Sequence, residues 1–278
     1  MLMTTKDFCS FPANNQEYKD GVFKLQLTSW DEFHKVTKIF NKNTNFIWRG
    51  QRNDCEGWKL KSSFDRKLPN IMNRQSKLDE VFNNFKHQLR CILNEQWLNK
   101  GNNEIVDVDN KIWGLGQHYG LPTLLLDWTK DPYKAAYFAF FKKSSICQTE
   151  NRAIFALTKS LRLLIAKPIN ARFVEFIDYE KGYDETQNGR LKAQDGMFTK
   201  ALNGRDIEAN VLKFTDKKRK KQGKQYEEEI ILIKILIPDT ERDICLNDLK
   251  SKNKTHIVLF PDYVGAVESC KIDLGIDD

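Results

Sequence analysis

The chain has 278 residues, 40% of them hydrophobic and 12% aromatic, enough to bury a sizeable core in one large domain or two small ones, which excludes a disordered class. No apolar run approaches the roughly 20 residues that cross a bilayer, the longest being Ile230 to Pro238 with Lys234 inside it, so no membrane partner is expected. The net charge of +7 suggests a nucleic-acid binder, but six positive charges (Lys217, Lys218, Arg219, Lys220, Lys221 and Lys224) fall within eight residues and leave the rest of the chain close to neutral.

In chain order, residues 1–20 read as an N-terminal extension without the apolar core of a secretory signal, so a reducing, cytoplasmic location is expected. Phe23 to Leu27 alternates like a half-buried strand, and Ser29 with Glu32 makes a capping box for a helix carrying Phe33, Val36, Thr37 and Phe40 inward. Phe46 to Trp48 is a short strand ending in Arg49-Gly50-Gln51, where the glycine reads as permitting a turn. A long helix over 76–98 buries Leu78, Val81, Phe82, Phe85, Leu89, Ile92, Leu93 and Trp97, a core stripe by its spacing. After Gly101 to Asn103, a second helix from Val106 to Tyr119 stops at Gly120. A strand from Leu124 to Leu126 follows, with Asp127-Trp128-Thr129 at its far end, and Asp131 caps a largely apolar helix that has Pro132 in its first position.

The second half is dominated by strands at 153–157, 173–177, 191–198 and 230–237, the last β-branched enough to lie inside a sheet. The basic run lies in a stretch, 213–229, that reads as a solvated loop, because a block of like charges repels itself. Its functional alternative is an arm that tracks nucleic-acid phosphates with strong salt dependence. The end of the chain reads as helix over 242–253, extended chain over 257–260 and helix over 263–270.

The segment from Trp113 to Phe141 holds more polar and aromatic groups than a core strand and helix require: His118, Tyr119, Asp127, Trp128 and Thr129. Each has a purely structural alternative, such as an Arg49 to Asp127 ion pair, a His118 helix cap or core packing of Tyr119 and Trp128. Six scattered cysteines without a CxxC pair, and only four histidines, point to no metal centre and no disulfide framework. The chain also contains no GxSxG, Walker-type, GxGxxG or HExxH pattern.

Four blocks carry a resemblance: FIWRGQ (46–51), LGQHYGLPTLLLDWTKDPYKAAYFAF (115–140), GRLKAQDGMFTK (189–200) and THIVLFPDYVGAV (255–267). In order and spacing they resemble the FRG-domain family, which would place a single FRG-type domain over 21–278. Trp48 stands where the family signature has phenylalanine, and Leu124 where the family usually has an arginine. The resemblance implies a microbial protein, with some relatives linked to phage defence or toxicity.

The block order is in turn similar to that of ADP-ribosyltransferases. That likeness implies an α+β fold, with a mixed, largely antiparallel central sheet and flanking helices, and NAD as co-substrate. It also implies catalytic positions at Arg49, His118, Asp127, Thr129 and Gln194, with cofactor contacts from Arg49, Gln51, Tyr119 and Trp128. Cleavage of the nicotinamide to ribose bond needs a cation for phosphate, an aromatic face for the ring and a group to steady an oxocarbenium-like state. Arg49 supplies the first; Tyr119 or Trp128 supplies the second; Asp127 or Gln194 supplies the third, although Gln194 stands where such transferases use a glutamate. Two other readings stay open: a nucleic-acid or nucleotide-binding module, and a non-catalytic sensor or interaction domain.

Overall fold

Strands β1 (Gln16–Lys19), β2 (Val22–Gln26), β3 (Phe46–Gln51), β4 (Leu125–Thr129), β5 (Asn151–Thr158), β6 (Val174–Ile177), β7 (Gly196–Ala201) and β8 (Leu232–Pro238) form one eight-stranded sheet. Their order is β1-β2-β8-β5-β3-β4-β7-β6, and every neighbouring pair is antiparallel except β2 with β8. The computed structural model describes residues 3–40, 45–54, 59–69, 72–92, 105–143, 150–159, 174–177, 189–201, 204–223 and 229–276. Leu93, Trp97, Gly101 to Asn103 and Lys224 lie outside them.

Period-two alternation explains how the sheet buries both faces. Along β8, Ile233, Ile235 and Ile237 enter one core cluster, whereas Leu232 and Leu236 enter another on the opposite face. In β5, Ile154 and Ala156 are divided in the same way from Ala153, Phe155 and Leu157. The first face is covered by α1 (Trp30–Phe40), α5 (Pro132–Phe140) and α8 (Arg242–Ser251). The second is covered by α7 (Ile207–Gln222) through Ile207 and Val211. Helices α2 (Ser63–Lys67), α3 (Arg74–Ile92) and α4 (Ile105–His118) build two smaller clusters beside β4 and β7. Leu124 is buried in one of these, so that position sends no cation toward solvent. No helix among the described residues is long and apolar enough to cross a membrane.

The structure corrects several sequence expectations. Residues 3–20 are built into the fold: Phe8 is fully buried 4.8 Å from the Phe23 ring, and β1 pairs with β2 through a turn at Asp20 and Gly21, both with positive φ. The described part of the basic run is the end of α7, whose N-terminus is capped by Asp206 accepting from the Ala209 N–H. Helical spacing supplies partners that a loop would lack. Asp216 pairs with Arg219 and Lys220, Arg219 also reaches Asp20, and Lys218 pairs with Glu229.

The predicted strand at 191–198 divides into α6 (Gly189–Ala193), a turn with Asp195 at φ 45, and β7. The predicted extended stretch at 257–260 begins as a short helix, α9 (His256–Leu259), followed by α10 (Tyr263–Asp273). Along α3 only Leu78 and Leu89 are buried, and Ile92 is exposed.

Candidate functional site

The site lies where the sheet is least continuous. β3 meets β4 at a single registered pair, Trp48 with Thr129, while β4 is fully paired to β7 on its other side. Gly50 lets α5 lie directly on β3. A Cβ there would overlap the Ala135 carbonyl oxygen and stand 2.6 Å from the Ala139 nitrogen. The glycine therefore serves a close helix approach, not the turn expected from sequence.

Beside it, Arg49 reaches across the opening. Its Nη1 donates to the Asp127 carbonyl at 2.7 Å and lies 3.6 Å from the Asp127 carboxylate. Its Nε is buried without a hydrogen-bond partner among the described residues. Burial lowers the Arg49 guanidinium below its ordinary value; Asp127 opposes that shift and Arg66 adds to it.

These groups open into a cleft of about 380 Å³, within the range of small-molecule sites. Asp127 is its one acidic lining residue among those described, with 58% of its side chain exposed. Gln117, in the last turn of α4, donates from Nε2 to both Asp127 carboxylate oxygens at 3.1 Å. His118 follows at the exposed rim. Partial loss of water and the Arg190 charge hold its imidazole below the usual value, with Asp262 opposing. Arg190 is ion-paired to Asp262 and lies 5.2 Å from the Phe260 ring centroid. That pairing holds the Asp262 carboxyl well below the ordinary carboxylate range. Trp48, Phe138 and Phe260 supply aromatic wall.

The expected site residues fall into three groups. Arg49, Asp127 and His118 line the cleft with polar atoms directed to one another or to solvent. Thr129, Gln194 and Trp128 also line it, but their polar groups are spent on the scaffold. The Thr129 hydroxyl donates to the Gln194 carbonyl at 2.6 Å, the Gln194 carboxamide donates to the Leu259 carbonyl at 3.0 Å, and the buried Trp128 indole donates to Thr199 at 2.8 Å. Tyr119 and Gln51 do not line the cleft: Tyr119 is 77% exposed, and Gln51 is buried in β3.

Gln117, Arg190 and Phe260 were not anticipated. Each lies inside a quoted sequence block, but contact with residues 10 to 70 positions away follows only from the sheet opening and from α6 and α9. No group of three His, Cys, Asp or Glu residues able to hold a metal ion occurs among the described residues.

Together these features define an α+β protein with an arginine and carboxylate cleft at an interrupted strand pair. Residues 44–146 match the family model of the FRG domain. The span contributes Arg49, Gln117, His118 and Asp127, whereas Arg190 and Phe260 lie beyond it. No curated protein and no solved structure matches the chain.

Proposed function

We propose that the cleft binds NAD or a closely related nucleotide and breaks its glycosidic bond, in the manner of an ADP-ribosyltransferase or an NAD-cleaving enzyme. The observation that carries this reading is the Arg49 guanidinium 3.6 Å from the exposed Asp127 carboxylate within an aromatic-walled cleft. That arrangement offers a cation for phosphate and an anion for a developing positive charge.

As the ribose C1′ to nicotinamide N1 bond breaks, its electron pair leaves with the ring, which becomes neutral, and positive charge spreads over C1′ and the ring oxygen. Asp127 stabilises that charge. An acceptor oxygen, from water or a hydroxyl, then bonds to C1′ and passes its proton to His118, whose lowered affinity for protons keeps it neutral near pH 7. Gln194 is a weaker candidate for this chemistry, because one N–H of its carboxamide is held by the Leu259 carbonyl. The ion pairs along α7 reduce the case for a phosphate-tracking arm.

The test is nicotinamide release from NAD by the purified chain and by Asp127→Asn. Release should fall roughly 10²- to 10³-fold in the variant while NAD binding persists. A wild-type chain that neither binds nor cleaves NAD would remove the reading.

A further inference from the structure

We infer that Thr123 is a positioning residue for the cleft: its hydroxyl fixes the Gln117 carboxamide, which in turn fixes the Asp127 carboxylate. The inference rests on the role given to Asp127 above, and it assigns a function to a residue that does not line the cleft.

The argument follows the protons. The Thr123 Oγ1 accepts the Leu125 N–H at 3.1 Å, which leaves its own proton to be donated, and that proton goes to Gln117 Oε1. A carboxamide accepts at oxygen and donates at nitrogen, so with Oε1 held by Thr123 the Nε2 must face Asp127. There it spans both carboxylate oxygens at 3.1 Å, with the Leu125 carbonyl 3.4 Å away. A flipped amide would set Oε1 against the carboxylate and leave the Thr123 proton facing an NH2 group, so both ends of the relay oppose the flip.

Thr123 is itself anchored. It has no exposed surface, its N–H donates to Ser63 Oγ at 3.0 Å, and its carbonyl accepts the Phe64 N–H at 3.1 Å. The start of α2 thereby transmits a fixed position through Thr123 and the end of α4 to a carboxylate that is otherwise largely exposed. A charge that must face one atom of a transition state gains from such support, and a misplacement of about 1 Å costs up to roughly a hundredfold in rate.

The test compares Thr123→Val, which keeps the shape and removes the hydroxyl, with Thr123→Ser, which keeps the hydroxyl. Single-turnover nicotinamide release should fall about ten- to a hundredfold in Thr123→Val with the Kd for NAD unchanged, and should recover in Thr123→Ser. In ¹H–¹⁵N spectra the Gln117 side-chain amide should move toward its solvent-exposed position in Thr123→Val and stay in place in Thr123→Ser. An unmoved amide in Thr123→Val, or a serine variant as impaired as the valine, overturns the inference. If Thr123→Val does not fold, Gln117→Met on the cleft wall takes its place, and undiminished release there is equally contrary. The spectroscopic arm decides the relay even if the wild type proves inert toward NAD, so failure of the proposed function and failure of the relay are distinguishable.

Discussion

Gly50 and Arg49 are neighbours with opposite demands: one must have no side chain, and the other must extend its own across a gap in the sheet. Because a Cβ at Gly50 meets the backbone of α5, which cannot move aside as a flexible side chain could, Gly50→Ala should destabilise the fold by about 1–3 kcal/mol. Urea unfolding reads this as a lower midpoint at unchanged slope. Arg49→Lys keeps the charge but loses the planar forked donor that serves the Asp127 carbonyl and that could contact phosphate in two places at once. Its affinity for NAD, measured by calorimetry, should fall roughly ten- to a hundredfold, the worth of one charged hydrogen bond.

At the scale of elements, α5 was the most legible part of the chain, since Asp131 before Pro132 states a helix start in local terms. The Asp131 carboxylate accepts from the Tyr133 and Lys134 N–H groups at 2.8 and 3.3 Å, as that pattern predicts. Asp131→Ala should cost about 1 kcal/mol in chemical unfolding, the usual value of an N-cap, with some further loss from its ion pair with Lys254. β5 and β8 were legible for a related reason: largely apolar runs buried on both faces allow few alternatives, and β8 adds three isoleucines.

Elements decided by distant partners were not legible. The charges near the end of α7 are offset by Asp20, Asp216 and Glu229, and two of these lie outside the helix. Of the strand read over 191–198, only 196–198 is strand, the start of β7; the earlier part is a helix and turn, in which Asp195 pairs with Lys134 of α5. The site was legible to the same degree. Arg49, His118 and Asp127 stood out as polar groups at element ends, but that Gln117 and Thr123 serve Asp127 depends on hydrogen bonds without any helical or strand period.

For the whole molecule, the cleft ties the FRG span to the later helices, and its stability should therefore titrate. His118 is depressed by partial burial and Arg190, with Asp262 opposing. His256 is depressed by burial, Lys142 and Arg190, with Glu268 and Asp262 opposing. Depressed histidines bind fewer protons folded than unfolded, so their contribution is complete above the unfolded value near 6.5 and is lost as pH falls toward the folded values. The unfolding midpoint should accordingly drop as pH falls below about 6.5, and His256→Phe, which keeps the ring stacked on Phe260, should flatten that slope. Asp262 adds a second loss at lower pH: its depressed carboxyl stabilises the fold above the ordinary carboxylate value, and that contribution disappears as the carboxyl is protonated.

The central claim is that Arg49 and Asp127 make this cleft a nucleotide site, and the most direct test is a thermal-shift titration of the wild-type chain and Arg49→Ala with NAD. A ligand that binds only the folded state must stabilise it, by about 2.7 kcal/mol at a hundred times its Kd. The account predicts a saturable rise in the wild type and none in Arg49→Ala. An equal rise in both proteins, or no rise in a well-folded wild type, would contradict it.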